Sequence, residues 1–184
     1  MGEVLAELAA PELAGQPLLA EWRAFVTAHR DAALLKHRGR AHLTASCFVF
    51  DQDLERIALT FHRRGQFWVQ FGGHIEPTDS SLAAAAIREA LEESGLTSLA
   101  PPGPVLTDLD RHDLVGAFEC DTHWDVGYWA IAGGDQRLRV SDESEQVAWW
   151  PCDQLPTPLA SGMARRTAQA LAAATRFRAE FEPR

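Results

Sequence analysis

Three carboxylates are close enough in sequence to act together. Glu89, Glu92 and Glu93 lie in the stretch GGHIEPTDSSLAAAAIREALEESGL, residues 72–96. On a helix of 3.6 residues per turn they are related by i, i+3 and i+4, and so form one acidic cluster. Like charges at these spacings repel by about 0.2–0.5 kcal/mol per pair. A divalent cation relieves that repulsion. Carboxylate oxygens suit Mg²⁺ or Mn²⁺, which usually share their coordination between a few carboxylates, waters and substrate phosphates. Arg88, four residues before Glu92, is spaced to pair with it or to orient a neighbour. Ala83 to Ala86 keep the first turns slim, and Ala84, Ile87 and Leu91 are expected to face the opposite way, onto a sheet. Gly72 and Gly73 would let backbone approach a metal or phosphate with no Cβ between them. A Glu-x-x-Glu-Glu run alone is ordinarily a solvated helix face. The order of the whole stretch is more specific: two glycines, a loop, an alanine-rich helix, Arg-Glu, a spacer, Glu-Glu and Gly-Leu.

In that order the chain resembles the Nudix hydrolase family, whose box reads Gly-x5-Glu-x7-Arg-Glu-U-x-Glu-Glu-x-Gly-U, with U aliphatic. Arg88, Glu89, Ala90, Glu92, Glu93, Gly95 and Leu96 match its second half in register, and Gly73 matches its first glycine. The box covers about an eighth of the chain, and the approach HRRGQFWVQFGGHIE is also similar to the family's. There are departures. Fourteen residues separate Gly73 from Arg88, against thirteen in the pattern. The first glutamate's position falls on Asp79, with the insertion at Ser80-Ser81, and Phe71 stands where many relatives carry proline.

The resemblance implies an α/β fold, a Nudix-type α/β/α sandwich around a mixed sheet. It implies a pyrophosphohydrolase that cleaves a nucleoside diphosphate linked to another moiety. Glu89, Glu92, Glu93 and the Gly73 carbonyl would hold one to three Mg²⁺ ions, with Mn²⁺ as the alternative, and Asp79 would stabilise the loop. Glu93 is one candidate general base. In some members the base is a later glutamate, and Glu143 or Glu145 in VSDESEQ is placed in sequence to supply it; otherwise this is a solvated acidic loop. Arg88, Glu89, Glu93 and Glu145 are therefore the candidate catalytic residues.

Other residues could meet the substrate. Arg63 and Arg64 follow a strand and could clamp a phosphate, or could be plain hairpin-tip charges. His74 adjoins the two glycines, and His123 and Asp125 open the strand HWDVGYWA. A lone histidine is more often structural, and His37, His42 and His62 receive no role. One of the six tryptophans could stack on a base, although most read as core.

The surrounding elements follow from periodicity. Residues 1–14 read as a short helical turn ending near Pro11, and 17–36 as a helix with Leu18, Trp22, Phe25 and Val26 on one face. TASCFVF and RIALTFH, residues 44–50 and 56–62, read as a hairpin, and residues 66–71 as a further strand. Gly72-Gly73 should open a loop, and residues 81–94 should form a helix ended by Gly95. APPGP, residues 100–104, reads as loop; 105–111, 114–120, 126–132 and 145–150 read as strands. The last helix runs from Met163 to about Phe181, and its Arg165, Arg166, Arg176 and Arg178 read as charges facing outward from a helix packed on the sheet, or else as a partner or oligomer face. The organisation expected is an N-terminal helical extension over residues 1–40 and a Nudix domain over residues 41–184.

Composition bounds the partners. The chain has 184 residues, net charge −9 and 46% hydrophobic residues, enough for a real core. Its acidity argues against tracking a nucleic-acid polymer. Cys47, Cys120 and Cys152 are odd in number and suggest neither disulfides nor a zinc knuckle. The N-terminus lacks a basic, then apolar, leader, and no stretch reaches membrane-spanning length. A cytoplasmic protein with no membrane partner is expected. Its substrate would be a small nucleotide or nucleotide-like diphosphate, and a homodimer, common in the family, is left open. The alternative is a nucleotide-sensing domain that binds without cleaving. The isoprenoid isomerase pattern of cysteine and histidine is absent. So are the downstream proline of ADP-ribose hydrolases, where Arg111 falls, and the tyrosine of dinucleoside polyphosphate hydrolases.

Overall fold

The computed structural model describes residues 2–36, 39–114, 120–141 and 144–181. Seven strands form one mixed sheet: β1 Ala41–Phe50, β2 Arg56–His62, β3 Phe67–Val69, β4 Phe71–His74, β5 Leu99–Asp113, β6 Thr122–Ala132 and β7 Ser144–Pro151. Four α-helices accompany them: α1 Gly2–Glu7, α2 Leu19–His29, α3 Leu82–Ser94 and α4 Met163–Phe181. The strand order is β3-β2-β1-β6-β5, with β4 also on β1 and β7 also on β2. The α/β fold expected of the box is the one observed.

β1 organises the sheet. Along its whole length it runs parallel to β6, from Ala41↔Thr122 to Phe50↔Ile131. Its other edge is divided: residues 44–47 pair with β4, and Val49 and Phe50 with β2. The single run expected at 66–71 is therefore two strands, broken at Gln70, and a cleft opens where they part. Gly72 and Gly73 do not open a loop; they are strand residues opposite Ser46 and Ala45. Gly72 has φ 155°, and a Cβ there would lie 2.7 Å from the Ala45 carbonyl.

Alternation along β1 and β6 sorts the core. Leu43, Ala45, Cys47 and Val49, with Trp124, Val126, Tyr128 and Ala130, face α2 and α3. Phe48 and Phe50, with Trp129 and Ile131, face α4. The N-terminal segment shares the first of these cores through Val4, Leu8, Leu13, Trp22 and Val26. Phe25 stacks on Trp124 with ring centroids 4.6 Å apart, and Trp22 meets the same indole edge-on. Such pairs contribute about 0.5–1.5 kcal/mol each beyond their burial. Glu7 then joins α1 to the sheet and to α3. One of its oxygens accepts from Tyr128 Oη, and the other from Leu82 N at 3.2 Å.

Three further expectations are corrected. APPGP lies within β5, where the pairing with β6 slips between Ala100 and Val105. β5 ends the strand order, and an edge bulge is where a sheet accommodates proline. The buried stripe of α3 is Leu82, Ala85, Ala86, Ala90 and Glu93; of the expected Ala84, Ile87 and Leu91, only Leu91 packs, partly buried, against that core. Arg166 on α4 does not face outward; it is buried. The strand expected at 114–120 lies mostly outside the described residues.

Candidate active site

α3 is delimited by local chemistry. Ser81 is its N-cap, its Oγ accepting from Ala84 N at 3.0 Å, and Gly95 closes it at φ 67°. The residue inserted relative to the Nudix box is thus absorbed at the cap. The turn before it is closed by Asp79, whose carboxylate accepts from Glu76 N at 2.8 Å.

Arg88 anchors this turn to the helix. It donates to both Asp79 oxygens at 3.0–3.1 Å, to the His74 carbonyl at 2.9 Å, to Glu89 at 3.0 Å and to Glu92 at 3.1 Å. Burial by itself would raise the Asp79 carboxyl. The hydrogen bonds from Arg88 and Glu76 N, with the Arg88 charge, outweigh it and hold the group below the usual carboxylate range. The same contact with Asp79 pushes the Arg88 guanidinium above its ordinary value.

The three glutamates are not equivalent. Glu92 is largely exposed, Glu89 mostly buried, and Glu93 is 8% exposed within the buried stripe of α3. Glu93 Oε2 accepts from Gly72 N at 2.9 Å, which places its carboxylate at the edge of β4. Glu89 lies so near the next residue that a Cβ on Gly73 would be 2.6 Å from its Oε1. A carboxylate and backbone carbonyls can share this space only because residue 73 has no side chain. Hard oxygen donors of this kind fit Mg²⁺ or Mn²⁺.

A cleft of about 210 Å³ lies beside these groups. It brings together six of the residues singled out in the sequence, Gly72, Gly73, His74, Glu93, His123 and Asp125. A chamber of about 350 Å³ adjoins it through the shared residues Phe67, Val69, Gln70, His112 and Leu114, and Arg64 borders that chamber. Arg63 and Glu145 line neither space. Arg63 donates to the Ser144 carbonyl at 3.3 Å, and Glu145 accepts from Gln66 at 3.0 Å on the exposed rim. Glu143 lies outside the described residues.

Asp125 is fully engaged. It accepts from Thr44 Oγ1 at 2.8 Å, Ser46 Oγ at 2.6 Å and Arg166 Nη2 at 2.7 Å. Arg166 also binds Asp108, at 2.7 Å from Nε and 3.1 Å from Nη2. Burial would raise the Asp125 carboxyl, but the Arg166 charge and the Ser46 hydrogen bond keep it lowered. Gly127 makes room, since a Cβ there would lie 1.9 Å from Asp108. This buried network is the floor of the cleft. Sequence spacing does not reveal this pairing, because Asp108, Asp125 and Arg166 meet only through the sheet and α4. His123 stays neutral well into acid: burial, then His112, His74 and His42, push it down to about 3.

An acidic helix locked by an arginine to a glycine-bearing strand, beside a cleft in a split mixed sheet, defines a Nudix-type α/β sandwich. The NUDIX domain profile matches residues 40–170. The chain belongs to the Nudix family, and its expected class, a hydrolase of phosphoric anhydrides, goes with that membership. Solved structures share the fold. The NUDIX domain of Shewanella oneidensis NrtR, complexed with ADP ribose, is 23% identical with a TM-score of 0.59, over 82% of this chain and 97% of that one. A MutT NUDIX hydrolase from Burkholderia pseudomallei is 22% identical with a TM-score of 0.57, over 70% and 97%. The dihydroneopterin triphosphate pyrophosphohydrolase of E. coli is 14% identical with a TM-score of 0.58, over 71% and 95%. No curated protein sequence matches the chain. Among the described residues no helix is long and apolar enough to cross a membrane.

Proposed function

We propose that this chain is a divalent-metal-dependent pyrophosphohydrolase acting on a nucleoside diphosphate joined to a further group. The observation that carries the reading is the close approach of the Glu89 carboxylate to the bare backbone of Gly73, with Glu93 held by the preceding residue of the strand, Gly72. Glu89, Glu92, Glu93 and the Gly73 carbonyl would hold Mg²⁺ or Mn²⁺. Bound there, the ions neutralise diphosphate charge and acidify water.

The chain's own groups have distinct tasks. Glu93, at the cleft wall, is the base that takes the proton from the attacking water. Arg88 orients Glu89 and Glu92 and, through the His74 carbonyl and Asp79, keeps the strand and turn in register with the helix. Asp79 acts through Arg88 and through the turn it closes at Glu76 N. Arg64, His74 and His123 border the space for the substrate's phosphates and leaving group, and the Asp125–Arg166 pair keeps its floor rigid. Glu145 and Arg63 stand at the rim, where they could meet only a long substrate.

The test is product release from nucleoside triphosphates, nucleotide sugars, dinucleotides and ADP-ribose, with Mg²⁺ and with Mn²⁺. Turnover that requires metal and collapses in Glu93→Gln supports the hydrolase. Tight metal-dependent binding of one compound without turnover of any would replace it with the sensing domain.

A further inference from the structure

On the same face of the sheet, at the end away from Phe48 and Phe50, four side chains converge that the proposed hydrolysis does not need as a set. They are His42, His74, Cys120 and His123, and one ligand atom from each lies within 4.8 Å of all the others. Strand register places them. His42 is directly opposite His123 across the parallel β1–β6 pair, and His74 is opposite Thr44, two residues along β1 from His42. Cys120 stands three residues before His123. It is held there because Asp121 N and Thr122 N both donate to the Arg40 carbonyl, and the Asp121 carboxylate pairs with the Arg40 guanidinium.

We propose that His42, His74, Cys120 and His123 form a closed, tetrahedral site for Zn²⁺, separate from the carboxylate site on α3. The dimensions fit. Zn–N bonds near 2.0–2.1 Å put the centroids of imidazoles on one tetrahedral ion about 5 Å apart. The three ring centroids are separated by 4.9, 5.0 and 5.3 Å. A sulfur and a nitrogen on such an ion lie about 3.5 Å apart, and Cys120 Sγ is 3.3 Å from His123 Nε2. The donor set is three imidazoles and one thiol, two of them on buried residues. It suits zinc and is foreign to Mg²⁺, which prefers oxygen. On binding, the Cys120 thiol gives its proton to solvent and the thiolate binds the ion.

Four protein ligands leave no open position, so the site is structural rather than catalytic. It would tie the start of β6 to β1 and to the end of β4. His74 is the residue after Gly73, and its carbonyl already receives Arg88. The zinc site would therefore brace the strand against which the α3 carboxylates lie.

The test uses the whole chain, stripped of metal and kept reduced. Titration with Co²⁺ should produce an intense near-ultraviolet thiolate-to-cobalt charge-transfer band and the strong visible bands of tetrahedral cobalt. They should saturate at one ion per chain and be abolished by Zn²⁺ but not by excess Mg²⁺. Cys120→Ser should remove the charge-transfer band. Cys120→Ser and His42→Gln should each weaken Zn²⁺ binding by more than about 100-fold, beyond the 10–100-fold that loss of outer-shell partners costs. Circular dichroism of the metal-free variants checks their folding. Absence of the thiolate band in the wild-type chain overturns the proposal, as does Zn²⁺ affinity unchanged in both variants. The wild-type spectrum decides the matter even where a variant misfolds, and it is independent of whether the chain hydrolyses anything.

Discussion

Gly73→Ala tests the idea that the metal site depends on a missing side chain. The added Cβ would lie 2.6 Å from Glu89 Oε1, 2.7 Å from its Cδ and 2.9 Å from Oε2. Ordinary contact begins near 3.4 Å, so the carboxylate must withdraw by about 0.8 Å. Gly73 lies outside the positive-φ region, so alanine brings no backbone strain of its own. Pushing Glu89 off its rotamer costs about 0.5–1.5 kcal/mol. At about 2–4 °C per kcal/mol for a chain of this size, Tm should fall by only about 1–6 °C. Misplacing a positioned group by about 1 Å costs about 100-fold in rate. The expected variant is thus folded, binds Mn²⁺ weakly and turns over about 100-fold slower. Mn²⁺ affinity, read from the paramagnetic resonance signal of the free ion, needs no knowledge of the substrate. Adding Glu89→Asp to Gly73→Ala should restore part of that affinity, whereas Glu89→Asp alone should lower it. Wild-type Mn²⁺ affinity and kcat in Gly73→Ala would refute the reasoning.

Arg166→Met should leave two buried carboxylates, Asp108 and Asp125, without their cation. Breaking such a network costs about 3–5 kcal/mol, measurable by urea denaturation; a loss under 1 kcal/mol would mean the network is not the floor described. The lowered Asp79 and Asp125 carboxyls make wild-type stability pH-dependent in a defined direction. Their contribution is complete above the unfolded carboxylate value, about 3.9, and disappears as pH falls through the lower folded values. Acidification below about pH 4 should therefore destabilise the wild type more than Asp79→Asn. Gly95→Ala should lower Tm, because its φ is 67° and its Cβ would meet that of Arg139 at 2.6 Å. Tyr128 is the chain's only tyrosine, so its phenolate absorbance reports one site. Burial, and then the Glu7 carboxylate, raise it. It should stay protonated past the ordinary value near 10 until the chain unfolds. Ionisation near pH 10 in folded protein would mean that α1 is not docked through Glu7.

What could be read from the sequence was what local chemistry decides. Ser81 and Gly95 delimit α3 through their own backbone needs, and the β-branched and aromatic residues of TASCFVF and RIALTFH predict strands. What could not be read was set by neighbours distant in the chain. Gly72-Gly73 looks like a loop opening until β1 pairs with it. The stripe that α3 buries is not centred on Ala84 and Ile87, because Gly72 N gives the Glu93 carboxylate a partner that lets it lie within the buried face. APPGP reads as loop unless the strand lies at a sheet edge. Arg166 reads as an outward charge unless Asp108 and Asp125 wait beneath it.

The same distinction explains why the histidine cluster is invisible in the chain and plain in the fold. Cys120-x-x-His123 is its only local trace. His42 and His74 lie far from it in sequence, and it is the β1–β6 and β1–β4 registers that bring them alongside. A shift of one residue in the β1–β6 pairing would turn His42 onto the opposite face from His123. Occupancy by zinc would then reward one register over its neighbours. The same register aligns Thr44 with Asp125 and sets Ser46 opposite Gly127, the contacts on which the floor of the cleft rests. A metal bound by the four side chains would thus stabilise, at a distance, the pairing that shapes the candidate active site.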